Sequence, residues 1–287
     1  MPPEAQPDAA SAETFIREAA RVHEPDHTIA AMLAPRAVRV DLITLAAYCG
    51  EVRRIPLSVS DATLGEIRLQ WWRDVVSAGA QGGLSGNPIA DEMVRLVARH
   101  DLPLDLVLAP LEAASRELQG DAFDDDASWL AYLDQAEGAA MRLAFRVLSQ
   151  TETSAAASAL NSAGRAYAAC RLALRLPELT AKGRWPVPAS LVSLGDPRAC
   201  PEVQARTILR QAADALCQQA LQEAGVARGA MRSLPKTLIE ALLPVALVPA
   251  YAKAIAGPRR DALREPAQIA PLTRLFRLWL ASKTRRI

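Results

Sequence analysis

Four aspartates near the middle of the chain could together bind a divalent cation. They are Asp121, Asp124, Asp125 and Asp126. Paired carboxylates are typical ligands of Mg²⁺ and, through it, of diphosphate groups. The run also stands directly before a helical pattern that begins at Trp129, and acidic residues at the start of a helix cap its free N–H groups and complement its dipole. This position favours capping over metal binding.

Arginines lie on the inward-looking faces of two predicted helices. In the stretch AYCGEVRRIP, helical spacing places Arg53 on the apolar stripe of the preceding residues, whereas Arg54 lies about 100° around the helix. In a second, longer helix, Arg171, Arg175 and Glu178 share one stripe. Each helix therefore directs permanent positive charge towards whatever it lines.

The C-terminal segment PLTRLFRLWLASKTRRI has no acidic residue. Its basic residues are Arg274, Arg277, Lys283, Arg285 and Arg286, and its apolar face consists of Leu272, Leu275, Phe276, Trp279 and Leu280. A basic amphipathic helix is typical of a membrane surface or of a partner-binding segment. The alternative is a terminal helix that docks on its own core and leaves a solvated basic edge.

Helical periodicity runs through most of the chain, and no segment alternates as a strand would. We predict helices over residues 11–23, 36–50, 61–78, 88–99, 104–119, 127–149, 153–180, 202–223, 236–255 and 268–283. The proline-rich, acidic start predicts a partly disordered lead-in over residues 1–22, followed by one all-α domain over 23–287. These helices must position the arginines and the acidic run.

Composition excludes several classes of function. The net charge of +1 gives no reason to expect a nucleic-acid partner. Four isolated cysteines and three scattered histidines form no metal-site pattern, which indicates reduced thiols in a cytoplasmic compartment. The most apolar stretch has about 13 residues without a charge, too few to span a bilayer. We therefore expect neither a transmembrane helix nor a metal cofactor.

The two arginine-bearing stretches resemble the squalene/phytoene synthase family, all-α enzymes of the isoprenoid synthase fold with a central cavity. In that family, an Asp-rich motif on each of two facing helices holds Mg²⁺ against prenyl diphosphates. Aligned with the first motif, Cys49 matches, but the family's aspartates correspond to Arg53, Arg54 and Leu57. The resemblance therefore implies that the metal ligands of the first motif are lost.

The second motif keeps the residue spacing of the family pattern but also lacks the metal ligands. Its aspartates correspond to Arg175 and Leu179, and its asparagine corresponds to Arg171. The residues that agree with the motif are Gly164, Ala166, Leu172, Ala173, Glu178, Gly183, Arg184 and Pro188. The stretch WLAYLDQAEGAA resembles the family's helix leading to a cavity glycine, here Gly138. The family mechanism of metal-assisted diphosphate ionisation is not credible with these residues, because arginine cannot coordinate a cation.

The stretch LGEIRLQWWRD and the arginine-bearing second motif are similar to one branch of the family, which includes a mitochondrial assembly factor for respiratory complex I. The resemblance implies a non-catalytic accessory protein, with respiratory-chain assembly partners or membrane lipid, at the inner membrane surface. Two alternatives remain open. One is a divergent head-to-head prenyltransferase that uses Mg²⁺ held by the Asp121–Asp126 run, and the other is a carrier of prenyl lipid or phospholipid.

The role of the inward arginines also has two interpretations. They could form salt bridges with Glu51, Glu66 or Glu178, since a buried charge needs a partner. They could instead bind an anion directly, because guanidinium groups match phosphate geometry. In the second case, the candidate cavity or anion-binding residues are Arg53, Arg54, Gly138, Arg171, Arg175, Glu178 and Arg184.

Overall fold

The computed structural model describes residues 9–149, 153–231, 235–257 and 267–287, and these ranges are almost entirely helical, with no strand among them. The predicted all-α class is confirmed. Within the same ranges, no helix combines the length and the apolarity needed to cross a bilayer.

The α-helices follow one another along the chain. They are α1 (Ala9–His23), α2 (Pro25–Leu33), α3 (Arg39–Ser58), α4 (Ala62–Ala78), α5 (Pro88–His100), α6 (Leu104–Gln119), α7 (Asp126–Leu133), α8 (Ala139–Ser149), α9 (Ser154–Ala181), α10 (Glu202–Ala230), α11 (Lys236–Leu242), α12 (Val248–Ile255) and α13 (Pro271–Thr284). A π-helical segment, Asp134–Gly138, joins α7 to α8, and a 3₁₀ segment, Leu243–Leu247, joins α11 to α12.

The buried apolar side chains form two cores that meet along α8. One core contains side chains of α1 and of the helices from α3 through α6. The other core contains side chains of α7 and of the helices from α9 through α12. Met141 and Phe145 of α8 belong to the second core, whereas Leu143 and Val147 belong to the first. Because α8 contributes to both, the two motif helices α3 and α9 face each other across a shared interior. Arg53, Arg171 and Arg175 of the motif positions lie in this interior.

The beginning of the chain departs from the predicted boundaries. Helix α1 begins two residues before the predicted helix over 11–23, and it packs on α3 through Ile16, Ala19 and Ala20. Residues 1–8 lie outside the described ranges. Helix α2 is absent from the predicted set, although Pro25 at its first position is a typical helix start.

Helix α3 extends to Ser58, eight residues beyond its predicted end at Gly50. A Cβ atom at Gly50 would lie 2.8 Å from Cβ of His23 and 3.0 Å from Cγ of Glu24. Glycine is thus required here for close approach to the junction of α1 and α2, and the packing keeps the helix continuous despite the low helix propensity of glycine. The continuation places Arg53 on a helix in the interior.

Candidate functional site

Arg53 is bound by two glutamates in the interior. Its guanidinium group donates to the carboxylate of Glu24, at the junction of α1 and α2, and to Oε2 of Glu137 at 3.0 Å. The side chain of Arg53 is 9% exposed, and those of Glu24 and Glu137 are almost completely buried. The inward orientation expected of Arg53 is therefore observed, and two carboxylates neutralise its charge.

Arg171, on the facing helix α9, contacts the same two glutamates. It donates twice to Glu24, once through Nη2 at 2.9 Å, and its Nε lies 3.3 Å from Oε1 of Glu137. We name the four residues Glu24, Arg53, Glu137 and Arg171 the ion-pair cluster. His27 lies at its edge, with Nε2 3.3 Å from Glu137. The cluster joins α3, α9, the π-helical segment and the start of α2.

The electrostatics of the ion-pair cluster keep all four groups charged. Burial by itself would raise the pKa of Glu24, but the guanidinium groups of Arg171 and Arg53 hold that pKa well below its ordinary value. The pKa of Glu137 is lowered for the same reason, again against the effect of burial. Conversely, the two carboxylates raise the pKa of Arg53 and of Arg171 although burial opposes it.

A second ion pair lies beside the ion-pair cluster. Arg175 forms a two-pronged contact with Glu117 of α6, with N–O distances of 2.9 and 2.8 Å, and its Nη2 also donates to the backbone oxygen of Arg53 at 2.9 Å. Tyr132 donates its hydroxyl to the same carboxylate at 2.7 Å. Bidentate pairs of this kind are the strong ones among charged hydrogen bonds. Arg175 therefore ties α9 to both α3 and α6.

The remaining motif positions lie outside the ion-pair cluster. Leu179 is buried, and Leu57 packs against the same core. Arg54 is half exposed and pairs with Glu51 on its own helix at 3.0 Å. Arg184 is buried and donates to the backbone oxygens of Pro56 and Val59 at the end of α3. Arg184 thus terminates a helix rather than presenting a free cation.

Of the three expected partner glutamates, Glu51 alone pairs with a motif arginine, and that arginine, Arg54, is not buried. Glu66 pairs with Arg73 at 3.5 Å, and Glu178 lies exposed on the outer side of α9. The actual partners of the buried arginines are Glu24, Glu117 and Glu137. Glu117 carries the clearest signal, because it follows Pro110 and Ala113 by seven and four residues and so continues the buried stripe of α6.

Gly138, which the resemblance places at a cavity, lies at a helix crossing instead. A Cβ atom added to Gly164 of α9 would come within 2.4 Å of Cα and 2.7 Å of N of Gly138. The two glycines therefore bring α9 against the π-helical segment with backbone in contact. That close crossing holds Glu137, the neighbour of Gly138, within reach of both buried arginines.

The interior between the motif helices is almost filled. A space of about 10 Å³ lies between Arg53, Glu117 and Arg175, and another of about 30 Å³ lies between His27, Cys49 and neighbouring residues. A cavity needs roughly 10 to 15 Å³ to hold one water molecule, so these two spaces have room for one or two waters. A third space of about 140 Å³ lies beside the ion-pair cluster and is lined by residues that include Glu24, Arg171, Arg175 and Tyr251. The central cavity implied by the resemblance is thus reduced to small spaces. A wider groove of about 460 Å³ lies outside, between α1, α3 and α5, and no motif residue lines it.

The residues at the motif positions do not fit Mg²⁺. This ion requires oxygen ligands with near-ideal octahedral geometry, and the nearest carboxylates, Glu24, Glu117 and Glu137, each bind at least one guanidinium group. No other cluster of potential metal ligands occurs within the part of the chain that the structure describes.

The thiol of Cys49 is also unreactive, since burial raises its pKa to about 12.

The Asp121–Asp126 run lies on the surface, where it starts α7. Asp125 accepts from the backbone N–H of Ser128 at 2.7 Å, and the Ser128 side chain completes a reciprocal capping box. Asp121, Asp124 and Asp126 are exposed. Capping is therefore the observed role. The divergent prenyltransferase would require the run to face the interior, and it does not.

Helix α13 docks on α2 and on the 3₁₀ segment Leu243–Leu247. Arg274 reaches the buried Asp26, with Nε 2.6 Å from Oδ1, and donates to the hydroxyl of Tyr251 at 3.2 Å. Tyr251 and Tyr167 both donate to Oδ2 of Asp26, at 2.7 and 2.5 Å. Helix α13 thus buries one side, as the docked alternative predicts, while its predicted apolar face remains exposed.

Solved structures of related enzymes share this architecture. A squalene synthase, HpnC, from Alicyclobacillus acidocaldarius superposes with a TM-score of 0.67 at 18% sequence identity, over 85% of this chain and 92% of that one. A dehydrosqualene synthase solved in complex with ligand gives a TM-score of 0.74 at 11% identity, over 96% of each chain. The fold and site define an isoprenoid-synthase-type helical bundle whose two motif helices are joined by ion pairs.

A family model described as squalene/phytoene synthase matches residues 20–275. The chain belongs to the squalene/phytoene synthase family. It is also similar to complex I assembly factor 6 of Bos taurus, 22% identical over 140 residues, which are 49% of this chain and 42% of that protein. The Homo sapiens protein is 23% identical over 142 residues, 50% of this chain and 43% of that protein. The match spans less than half the length of these curated relatives.

Proposed function

We propose that this protein is a catalytically inactive squalene/phytoene synthase homologue that acts as an accessory factor in assembly of a respiratory complex, at the cytoplasmic surface of the inner membrane. The observation that carries the proposal is the ion-pair cluster at the positions where the family motif has metal ligands. The similarity to complex I assembly factor 6 supports the assembly role. No cofactor is part of this proposal.

The charge balance of the ion-pair cluster argues against the binding of a cation and against the binding of an anion. Two carboxylates and two guanidinium groups already neutralise one another at contact distance. An incoming diphosphate would have to displace Glu24 or Glu137 from both arginines and leave that carboxylate buried without a partner. Breaking such a buried pair costs about 3 to 5 kcal/mol. The direct anion-binding role of Arg53, Arg171 and Arg175 is therefore the weaker candidate.

The filled interior argues against the two remaining alternatives. A prenyltransferase and a prenyl-lipid carrier both need room for long apolar chains, and pockets for organic ligands usually measure about 300–1,000 Å³. The spaces between the motif helices measure about 10 and 30 Å³, and the space beside Arg171 and Arg175 measures about 140 Å³, so all three lie below this range. The outer groove is large enough by volume and is lined by apolar residues such as Ile16, Ile43 and Leu84 together with charged ones, but no motif residue lines it. It therefore does not correspond to the cavity that the resemblance implies.

We expect no turnover of prenyl diphosphates. The purified protein is incubated with farnesyl or geranylgeranyl diphosphate and Mg²⁺, and released diphosphate is measured against a protein-free blank. The expected rate equals the blank, because no aspartate remains at the motif positions and the buried carboxylates beside them are paired with arginines. A squalene synthase assayed in parallel shows that the assay works. Turnover that disappears in Arg175→Ala would overturn the inactive interpretation.

We expect the tagged protein to retain respiratory-chain subunits when it is recovered from solubilised membranes. The measurement is the enrichment of those subunits over a tag-only control, determined by mass spectrometry. Recovery should not depend on added prenyl diphosphate, because the interior is closed to it. Enrichment of enzymes of isoprenoid synthesis in place of respiratory subunits would contradict the assembly role.

A further inference from the structure

Helix α13 has two apolar faces, and the wider one points away from the protein. Leu278 and Ala281 are buried against the core. The exposed set, which we name the α13 outer face, consists of Leu272, Leu275, Phe276, Trp279 and Leu280. At about 100° per residue, these five side chains fall within an arc of about 140° opposite the buried pair. No described element covers them.

The orientation of the α13 outer face is fixed by contacts at both ends of the helix. At the start, Arg274 forms the ion pair with Asp26 and the hydrogen bond to Tyr251. Beyond the end, Ile287 is buried, and its backbone oxygen accepts from Nε of Arg228 at 2.6 Å. The helix therefore cannot easily roll to bury its wider face on its own core. Five large apolar side chains remain together in water, which usually marks a binding surface.

Positive charge lies beside the α13 outer face, mostly at its C-terminal end. Arg277 and Lys283 are exposed on the helix, and Arg285 and Arg286 are exposed just beyond it. The segment from Pro271 to Ile287 contains no acidic residue. At about 100° per residue, Lys283 follows Trp279 on the same line of the helix, so the charges border the apolar surface at one end. The α13 outer face and the basic residues beside it are therefore complementary to a binding partner that has an apolar interior and a negatively charged boundary.

We propose that the α13 outer face binds directly to the headgroup region of a membrane containing anionic phospholipid. This inference rests on the proposed function, which places the protein at the inner membrane, and it identifies the surface and the lipid class. A helix with Trp, Phe and Leu on one side and Lys and Arg at its borders lies in the membrane interface with the apolar side among the acyl chains. The helix is already folded and oriented, so binding requires no ordering of the chain.

The apolar part of the surface is tested by flotation of the full-length protein with lipid vesicles. We expect it to float with vesicles of phosphatidylcholine mixed with phosphatidylglycerol and to remain below with phosphatidylcholine alone. Leu272→Ser with Phe276→Ser should lower the partition coefficient by about tenfold or more, since two exposed apolar side chains lose their burial in lipid. The matched control, Leu64→Ser with Ile67→Ser, removes two exposed side chains from α4 and should leave flotation unchanged.

The charged part is tested by neutralising two arginines. Arg285→Gln with Arg286→Gln should weaken partition into the anionic vesicles by about 30-fold, because each basic residue near such a surface contributes about one kcal/mol. Added salt should weaken wild-type binding in the same direction. The control Arg17→Gln with Arg21→Gln removes two exposed arginines from α1 and should have no comparable effect.

Tryptophan fluorescence reports the contact directly. Trp279 and Trp71 are both partly exposed, at 45% and 39%. Addition of anionic vesicles should shift the emission to shorter wavelength in wild type and in Trp71→Phe, and this shift should be lost in Trp279→Phe. Wild-type protein that fails to float with anionic vesicles at low salt would overturn the proposal.

Failure of this inference and failure of the proposed function are distinguishable. If the protein binds native membranes but not protein-free anionic vesicles, the α13 outer face docks a protein and the lipid proposal is wrong, while the assembly role stands. If the protein binds vesicles and also turns over prenyl diphosphate, the membrane surface is correct and the inactive interpretation is wrong.

Discussion

Replacing Glu24 by glutamine is expected to lower the free energy of unfolding by about 3 to 5 kcal/mol, because it leaves Arg53 and Arg171 buried with one shared carboxylate, Glu137. Glutamine keeps the size of the side chain and its carbonyl acceptor, so the loss reports the missing charge rather than a cavity. The measurement is urea unfolding followed by circular dichroism, near neutral pH, for wild type and variant.

Glu13→Gln is the matched control for this substitution. Glu13 pairs with Arg17 at 2.6 Å, but both side chains are about half exposed. Exposed pairs contribute about 0 to 1 kcal/mol, so this control should be almost neutral. Adding Arg171→Met to Glu24→Gln should restore part of the lost stability, since it removes one of the buried charges left in excess. A loss below about 1 kcal/mol for Glu24→Gln would show that the ion-pair cluster is not a structural element.

Acid titration gives an independent check on the same variant. The folded pKa values of Glu24 and Glu137 lie below the unfolded value of about 4.3. Their contribution is therefore complete above that value and is lost as the pH falls below it towards the folded pKa values. The free energy of unfolding of wild type should decline in this acidic range, and Glu24→Gln should show a shallower decline.

The second large effect is expected from Gly164→Ala. The added methyl group would lie 2.4 Å from Cα of Gly138, and the obstacle is backbone, which cannot move aside as a flexible side chain could. Helix α9 and the π-helical segment would have to separate and draw Glu137 away from Arg53. We expect a loss of about 3 kcal/mol, at the upper end of the usual cost of overpacking. Chemical denaturation of the purified variant measures it.

The same substitution at Gly225 provides the control, with the opposite sign. Gly225 lies within α10, and no atom approaches the place of an added Cβ within 4 Å. Gly225→Ala should therefore stabilise the protein by about 0.5 to 1 kcal/mol, through the higher helix propensity of alanine. Equal effects at Gly164 and Gly225 would contradict the close crossing of α9 and the π-helical segment.

Local periodicity was sufficient to predict the class of fold and the inward orientation of the arginines. Arg53 lies on the buried stripe of α3 because each turn of a helix repeats the same direction, and that information is contained in neighbouring residues. The same reasoning predicted the start of α7 at the acidic run. The prediction of helix ends was weakest at glycine and proline. Packing across Gly50, for example, keeps α3 helical where the low helix propensity of glycine alone favours an end of the helix.

The partners of the arginines could not be predicted in this way. Glu24 is separated from Arg53 by 29 residues and from Arg171 by 147 residues. Glu24 stands at a junction between helices, and the helix that follows it, α2, was not predicted. No periodic pattern connects such positions, because they meet only through tertiary packing. The orientation of the Glu137 side chain could not be predicted either, because it depends on the π-helical segment and on the contact between the two glycines behind it.

The ion-pair cluster also determines what this chain needs from the cell in order to mature. Because Arg53 and Arg171 find their counter-charges in Glu24 and Glu137, we expect the packing of α3 against α9 to require no added cation at this place. We therefore expect the cellular abundance of the protein to follow synthesis and proteolysis, and to be insensitive to the supply of divalent cations or isoprenoid precursors.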